Sequence, residues 1–177
     1  MMSSLRARLQ RPLVDLIIDA SSIINLDNAQ ALELVAGLSD RTIWLSPLVI
    51  GECKPTCAAR IVQLEKEGLI RFVNPESVSA ETFLSLLETY DLGEGETECL
   101  ALSLGHPYVM CCDDSKARRI GTKLLGPERV IGSLGLLKSC VSAELISPKQ
   151  AFDLYELMKK AGGFLPLVAS EWFSQPD

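Results

Sequence analysis

Residues 13–22 read LVDLIIDASS: an apolar, β-branched run that ends on an aspartate followed by small residues. Apart from Asp15 the run lacks the polar–apolar alternation of a half-exposed strand, so residues 13–19 read as a strand buried on both faces of a sheet. Asp19 falls at its carboxyl end. The pattern recurs along the chain. Strands are expected over 42–45, 69–73, 108–112 and 128–131. Helices are expected over 28–38, from Pro47 to about Pro55, and over 56–67, 80–90, 96–104, 115–125 and 134–142. Ser147-Pro148-Lys149-Gln150 is a capping box with proline at the first helical position, so a further helix is expected through Lys160. Strands alternating with helices predict an α/β fold with a central, mainly parallel sheet. The 177 residues suffice for one domain with a substantial core and are short for two. The reading is a single domain over 1–177, with a core over about 13–163 and an apolar tail over 164–177.

The composition narrows the function. Seventeen basic and 23 acidic residues give a net charge of −6, which excludes a simple basic-patch nucleic-acid binder. It does not exclude a nuclease, because bound divalent ions place positive charge where phosphate must sit. No segment is apolar for long enough to span a bilayer. The N-terminal MMSSLRARLQRP is basic, but the apolar run after it is broken by Asp15 and Asp19, unlike a secretion signal. A reduced, cytoplasmic protein without a membrane role is expected, and the six cysteines read as buried free thiols. A zinc site drawn from Cys53, Cys57, Cys111, Cys112 and His106 has unorthodox spacing.

Four acidic sites stand at the ends or beginnings of apolar segments: Asp19 in LIIDASS, Glu52 in LVIGEC, Glu96 in GEGETE, and Asp113–Asp114 in VMCCDDSK. Each has an ordinary explanation. Asp19 and the Asp pair fit helix caps, and Glu96 suits the positive end of a helix dipole. Glu94 and Glu98 fit solvated charge. Glu52 has apolar flanks and is expected to sit in a helix in half-buried surroundings. Acids gathered at the carboxyl edge of a parallel sheet with no accompanying bases point to a divalent cation. Without the cation at least one of them should have a raised pKa. On the helix after the Asp pair, Lys116, Arg119 and Lys123 share a face. That stripe suits either a phosphate backbone or open solvent.

Taken in order, these motifs resemble the PIN domain, in its prokaryotic VapC-like branch. The resemblance rests on strand–Asp19-Ala-Ser-Ser, Pro47-Leu-Val-Ile-Gly-Glu-Cys, Leu92-Gly-Glu-Gly-Glu-Thr-Glu-Cys-Leu-Ala-Leu-Ser, and strand–Asp113-Asp-Ser-Lys-Ala-Arg-Arg. It continues through Val130-Ile-Gly-Ser-Leu-Gly-Leu-Leu, and so covers roughly residues 13–163. It implies a three-layer α/β/α fold and a Mg2+- or Mn2+-dependent endoribonuclease, including the toxin of a toxin–antitoxin pair. The family's acids map onto Asp19, Glu52, Glu96 and Asp113 or Asp114, and its small hydroxyl residue maps onto Ser21. Glu98 is a second candidate for the third acid; Glu96 is favoured because it directly follows the turn glycine. Cys112 stands where threonine is common. RNA, a small antitoxin and a second copy of the chain are the partners the resemblance implies. Two other readings compete: a non-catalytic PIN-like binding or assembly module, and a haloacid-dehalogenase-like phosphatase. The latter needs a second acid two residues after Asp19, where this chain has Ser21.

Overall fold

The computed structural model describes residues 13–175; the basic N-terminal stretch and the end of the tail lie outside them. Leu16, Ile17 and Ile18 are fully buried in β1, Val14–Ile18. A strand with no exposed face must be paired on both sides and covered on both faces. β1 pairs in parallel with β2, Arg41–Leu45, on one side and β4, Val109–Cys111, on the other. β3, Ile70–Phe72, extends the sheet beyond β2, and β5, Val130–Ile131, extends it beyond β4. The result is an all-parallel, five-stranded sheet in the order β3-β2-β1-β4-β5. The chain steps outward from β1 to β3, then crosses back to the other side of β1. The reversal lies between β1 and β4, where open parallel sheets form a crevice at their carboxyl ends.

Helices cover both faces, which makes the three-layer α/β/α arrangement. α1, Ala20–Asn28, and α2, Leu32–Ala36, follow β1; α3, Pro47–Glu52, and α4, Pro55–Lys66, follow β2. α5, Ala80–Tyr90, and α6, Glu94–Gly105, lead into β4; α7, Ser115–Leu125, leads into β5; α8, Ser133–Ser142, and α9, Pro148–Lys160, close the chain. α6 packs over β1 and β4 between α5 and α7, while α8 and α9 pack with α1. In α9, Tyr155 holds the tail: its hydroxyl donates to Pro166 O at 3.0 Å and accepts from Val168 N–H at 3.3 Å. No helix among the described residues is long and apolar enough to cross a membrane.

Several boundaries differ from expectation. The helix expected over 28–38 is shorter, Leu32–Ala36: Asn28 ends the preceding helix, and Gln30 takes φ 56° between the two. α1 occupies residues that the sequence reading left unassigned. Pro55 begins α4 at its first position rather than ending α3, which stops at Glu52. α6 starts at Glu94, two residues early, where Glu96 Oε2 accepts the Gly93 N–H at 3.1 Å, the one half of a capping box that a glycine N-cap allows. Residues 127–129 form a 3₁₀ turn, so β5 is only two residues long.

Arg129 fixes the approach to β4. Its guanidinium donates to Ser103 O at 2.6 Å, His106 O at 2.7 Å and Tyr108 O at 2.7 Å. These carbonyls lie at the end of α6 and in the loop that delivers β4 to the sheet. Arg129→Met should cost about 2–3 kcal/mol, the scale of a charged hydrogen-bonding group lost from half-buried acceptors. Urea unfolding checks this, and a loss below about 0.5 kcal/mol would mean that solvent already satisfies those carbonyls.

Candidate metal centre

Asp19 follows β1 directly and is the N-cap of α1. Its exposure is 1%. Oδ2 accepts from Ser21 N–H at 3.1 Å, Ser21 Oγ at 2.6 Å and Cys112 Sγ at 3.3 Å. Oδ1 is buried with no hydrogen-bond partner. An ionised oxygen in that state is costly unless something arrives to satisfy it.

The other acids reach the same edge from separate elements. Glu96, on the first turn of α6, is half-buried and has one oxygen on Gly93 N–H. Asp114 follows β4 and caps α7, with Oδ1 accepting Ala117 N–H at 2.8 Å. Glu52, the last residue of α3, accepts Gly95 N–H at 3.0 Å. It is exposed, contrary to the half-buried surroundings expected from its apolar flanks. The short helix turns Val49 inward and ends before Glu52 can be covered. Gly95 permits the approach, since a Cβ there would lie 2.6 Å from Glu52 Oε1.

Burial pushes the Glu96 carboxyl above its ordinary range. The Gly93 N–H offsets part of this, and the charges of Asp19, Asp114 and Glu52 push it further up. All four acids therefore act within one electrostatic neighbourhood. No described Lys or Arg forms an ion pair with any of them; the ion pairs lie elsewhere, among them Arg60 with Asp27 and Lys116 with Asp91. Potential ligand atoms of Asp19, Glu96 and Cys112 lie within 4.8 Å of one another.

Within each adjacent pair of candidates, the two acids have different surroundings. Asp113 has both oxygens taken: Oδ2 by Asn25 Nδ2 and Oδ1 by Ser133 N–H, each at 2.8 Å. Glu98 is buried, and its Oε2 accepts Leu48 N–H at 3.1 Å near the start of α3. Ser21 Oγ, besides donating to Asp19, accepts Asp113 N–H at 3.0 Å and ties the ends of β1 and β4 together.

The sequence marked Cys112 as a departure from threonine and as one member of the unorthodox zinc grouping, not as a partner of Asp19. Here its buried thiol donates to Asp19, and burial together with the Asp19 charge pushes its pKa well up, so it is a neutral donor. Its place directly before the Asp pair was the available signal. The other cysteines are free and His106 is exposed beside Ser77, and among the described residues the five of the zinc grouping do not gather into a ligand cluster. On α7, Arg119 and Lys123 are exposed, while Lys116 bonds to the carbonyl and carboxylate of Asp91.

A family model described as DUF3368, PIN domain, matches residues 15–168. No curated protein and no solved structure matches the chain.

The Glu96 shift sets a pH dependence. Below about pH 4.3 the carboxyl is protonated in both folded and unfolded chains, and its contribution to stability is intact. As pH rises through the elevated folded-state value, that contribution is lost. Without divalent metal, the melting temperature of Glu96→Gln minus that of the wild type should therefore grow more positive from about pH 4 to pH 7. A difference that stays flat or falls would remove Glu96 from the acid cluster.

Proposed function

The chain belongs to the PIN-domain family, whose members are generally nucleases, and from that premise we propose that it is a divalent-metal-dependent endoribonuclease hydrolysing RNA phosphodiester bonds. One observation carries the reading: the buried Asp19 carboxylate, with one oxygen held by three donors and the other without a partner. An oxygen-rich cluster with no basic partner suits Mg2+ or Mn2+, both of which prefer oxygen ligands. Asp19, Glu96 and Asp114 would hold the ion. Asp113 would support them from behind, because Asn25 and Ser133 already occupy its oxygens. When bound, such an ion neutralises charge at the scissile phosphate and lowers the pKa of a water.

The chain's own residues supply the rest. Ser21 and Cys112 hold Asp19 Oδ2, which leaves Oδ1 to meet the ion. Glu52, exposed at the rim and anchored through Oε1 to Gly95, orients the attacking water by accepting its hydrogen bond. Arg119 and Lys123 grip the phosphate backbone beside the cut. Lys116 contributes less, because Asp91 already holds it. As the toxin of a toxin–antitoxin pair, the chain would be silenced by a small antitoxin presenting Arg or Lys to the uncompensated acids, and would act as a homodimer.

Two measurements test the reading. Millimolar Mg2+ or Mn2+ should raise the melting temperature of the wild type, by the equivalent of about 2.7 kcal/mol at a hundredfold excess over Kd. Asp19→Asn should abolish the rise. Cleavage of single-stranded RNA should need the metal and fall by at least about 10²-fold in Asp19→Asn and in Glu96→Gln, since even changes outside the ligand shell cost 10–100-fold. Cleavage that survives chelation, or persists in both variants, would overturn the proposal. Metal binding without cleavage of any RNA would leave a non-catalytic module.

A further inference from the structure

Resting on the reading of the acid cluster as a metal centre, we propose that Cys112 is itself a ligand there, and that its sulfur makes this site select zinc-class ions over magnesium. Its Sγ belongs to the group of potential ligand atoms that lie within 4.8 Å of one another, with Asp19 and Glu96. It is 3.3 Å from Asp19 Oδ2. The thiol therefore sits against the carboxylate whose other oxygen, Oδ1, has no partner, and a tetrahedral Zn2+ with bonds of about 2.0–2.3 Å spans neighbouring ligand atoms about 3.3–3.7 Å apart. Glu96, half-buried on the first turn of α6, offers the third ligand atom, within 4.8 Å of the other two.

The second, independent observation is the Asp19 Oδ1 atom, buried and without a partner. It offers the site a ligand that the fold does not otherwise use. Beyond Asp19, the thiol has only long contacts, at 3.7 Å to Ser21 Oγ and 3.9 Å to Asp114 O, so coordination displaces little. Magnesium keeps an octahedron of oxygens and gains nothing from sulfur. Zinc takes two carboxylates and a thiolate in a three-ligand arrangement with a fourth position open to water. On binding, the metal–sulfur bond forms as the S–H bond breaks, and the proton passes to solvent. Zinc and magnesium then compete for one site, and cellular zinc governs how much of the protein is available to magnesium.

Cadmium, a zinc-class probe with thiolate-to-metal absorption in the ultraviolet, tests this on the intact reduced chain. One equivalent of Cd2+ should produce the band, and Zn2+ should remove it at concentrations where millimolar Mg2+ does not. Cys112→Ser should lose the band and weaken zinc binding, measured calorimetrically, by about tenfold or more. Cys53→Ala, which alters the one cysteine that is not fully buried, should retain it. Asp19→Asn, with the thiol intact, should need more cadmium to reach the same absorbance, which keeps the test open if Cys112→Ser folds poorly. A band that survives Cys112→Ser, or is lost in Cys53→Ala, overturns the inference. A magnesium-induced rise in melting temperature with no cadmium band overturns the inference but leaves the nuclease reading intact. If neither ion acts on the wild type, both fall.

Discussion

The fold is organised around a charge that it half satisfies. Asp19 stands at the end of a strand with no exposed face, and an isolated carboxylate there would cost several kcal/mol. Three donors offset part of that cost, two from Ser21 in α1 and one from Cys112 at the end of β4. The Ser21 donors are local, but Cys112 reaches Asp19 only if β1 and β4 are paired in the observed register, with Asp19 N–H on Cys111 O at 2.8 Å. Ser21 then accepts from Asp113 N–H, so the network that orients the carboxylate also staples the two strands where the chain reverses direction. Packing, register and the geometry of the site are one constraint seen at three scales.

A division of labour among adjacent acids follows. Glu98 and Asp113 satisfy backbone donors near the starts of α3 and α8, and Asp113 also accepts from Asn25. Their charges are consumed in holding elements together. Glu96 and Asp114, their neighbours in the chain, each bond one local N–H and keep the remaining capacity of the carboxylate for the cluster. Two acids close together in sequence thus separate into a structural one and one that faces the crevice, because successive residues at an element's end point in different directions.

This division also explains what the sequence could and could not convey. The buried strand β1 and the helices Ala80–Tyr90 and Ser115–Leu125 were readable because apolar spacing and caps agree there. α1 was missed because Ser22 and Asn25 are on its buried side. Polar residues at inward positions erase the amphipathic pattern that would have marked a helix. Asn25 is there to bond Asp113, 88 residues away, and no local pattern carries that information. Asp113 and Asp114 were indistinguishable in the sequence because the partners of Asp113 lie 88 and 20 residues away in α1 and α8, whereas Asp114 simply caps α7. Glu52 was misjudged for the opposite reason: its neighbours are apolar, but the helix beneath it is too short to bury it.

The acidity of the chain belongs to the same physics. A net charge of −6 repels a polyanion at long range, yet that repulsion is screened within about 8–10 Å at physiological salt. Inside that distance the local arrangement decides. With no described Lys or Arg paired to Asp19, Glu52, Glu96 or Asp114, the crevice repels phosphate, and on the proposed reading a divalent ion would reverse the potential where the backbone is to be held. A built-in lysine or arginine would have stabilised the acids permanently and left less for the metal to satisfy. On the proposed nuclease reading, the uncompensated cluster would make attraction for phosphate conditional on the ion, so that substrate binding and activation would be gated by the same event.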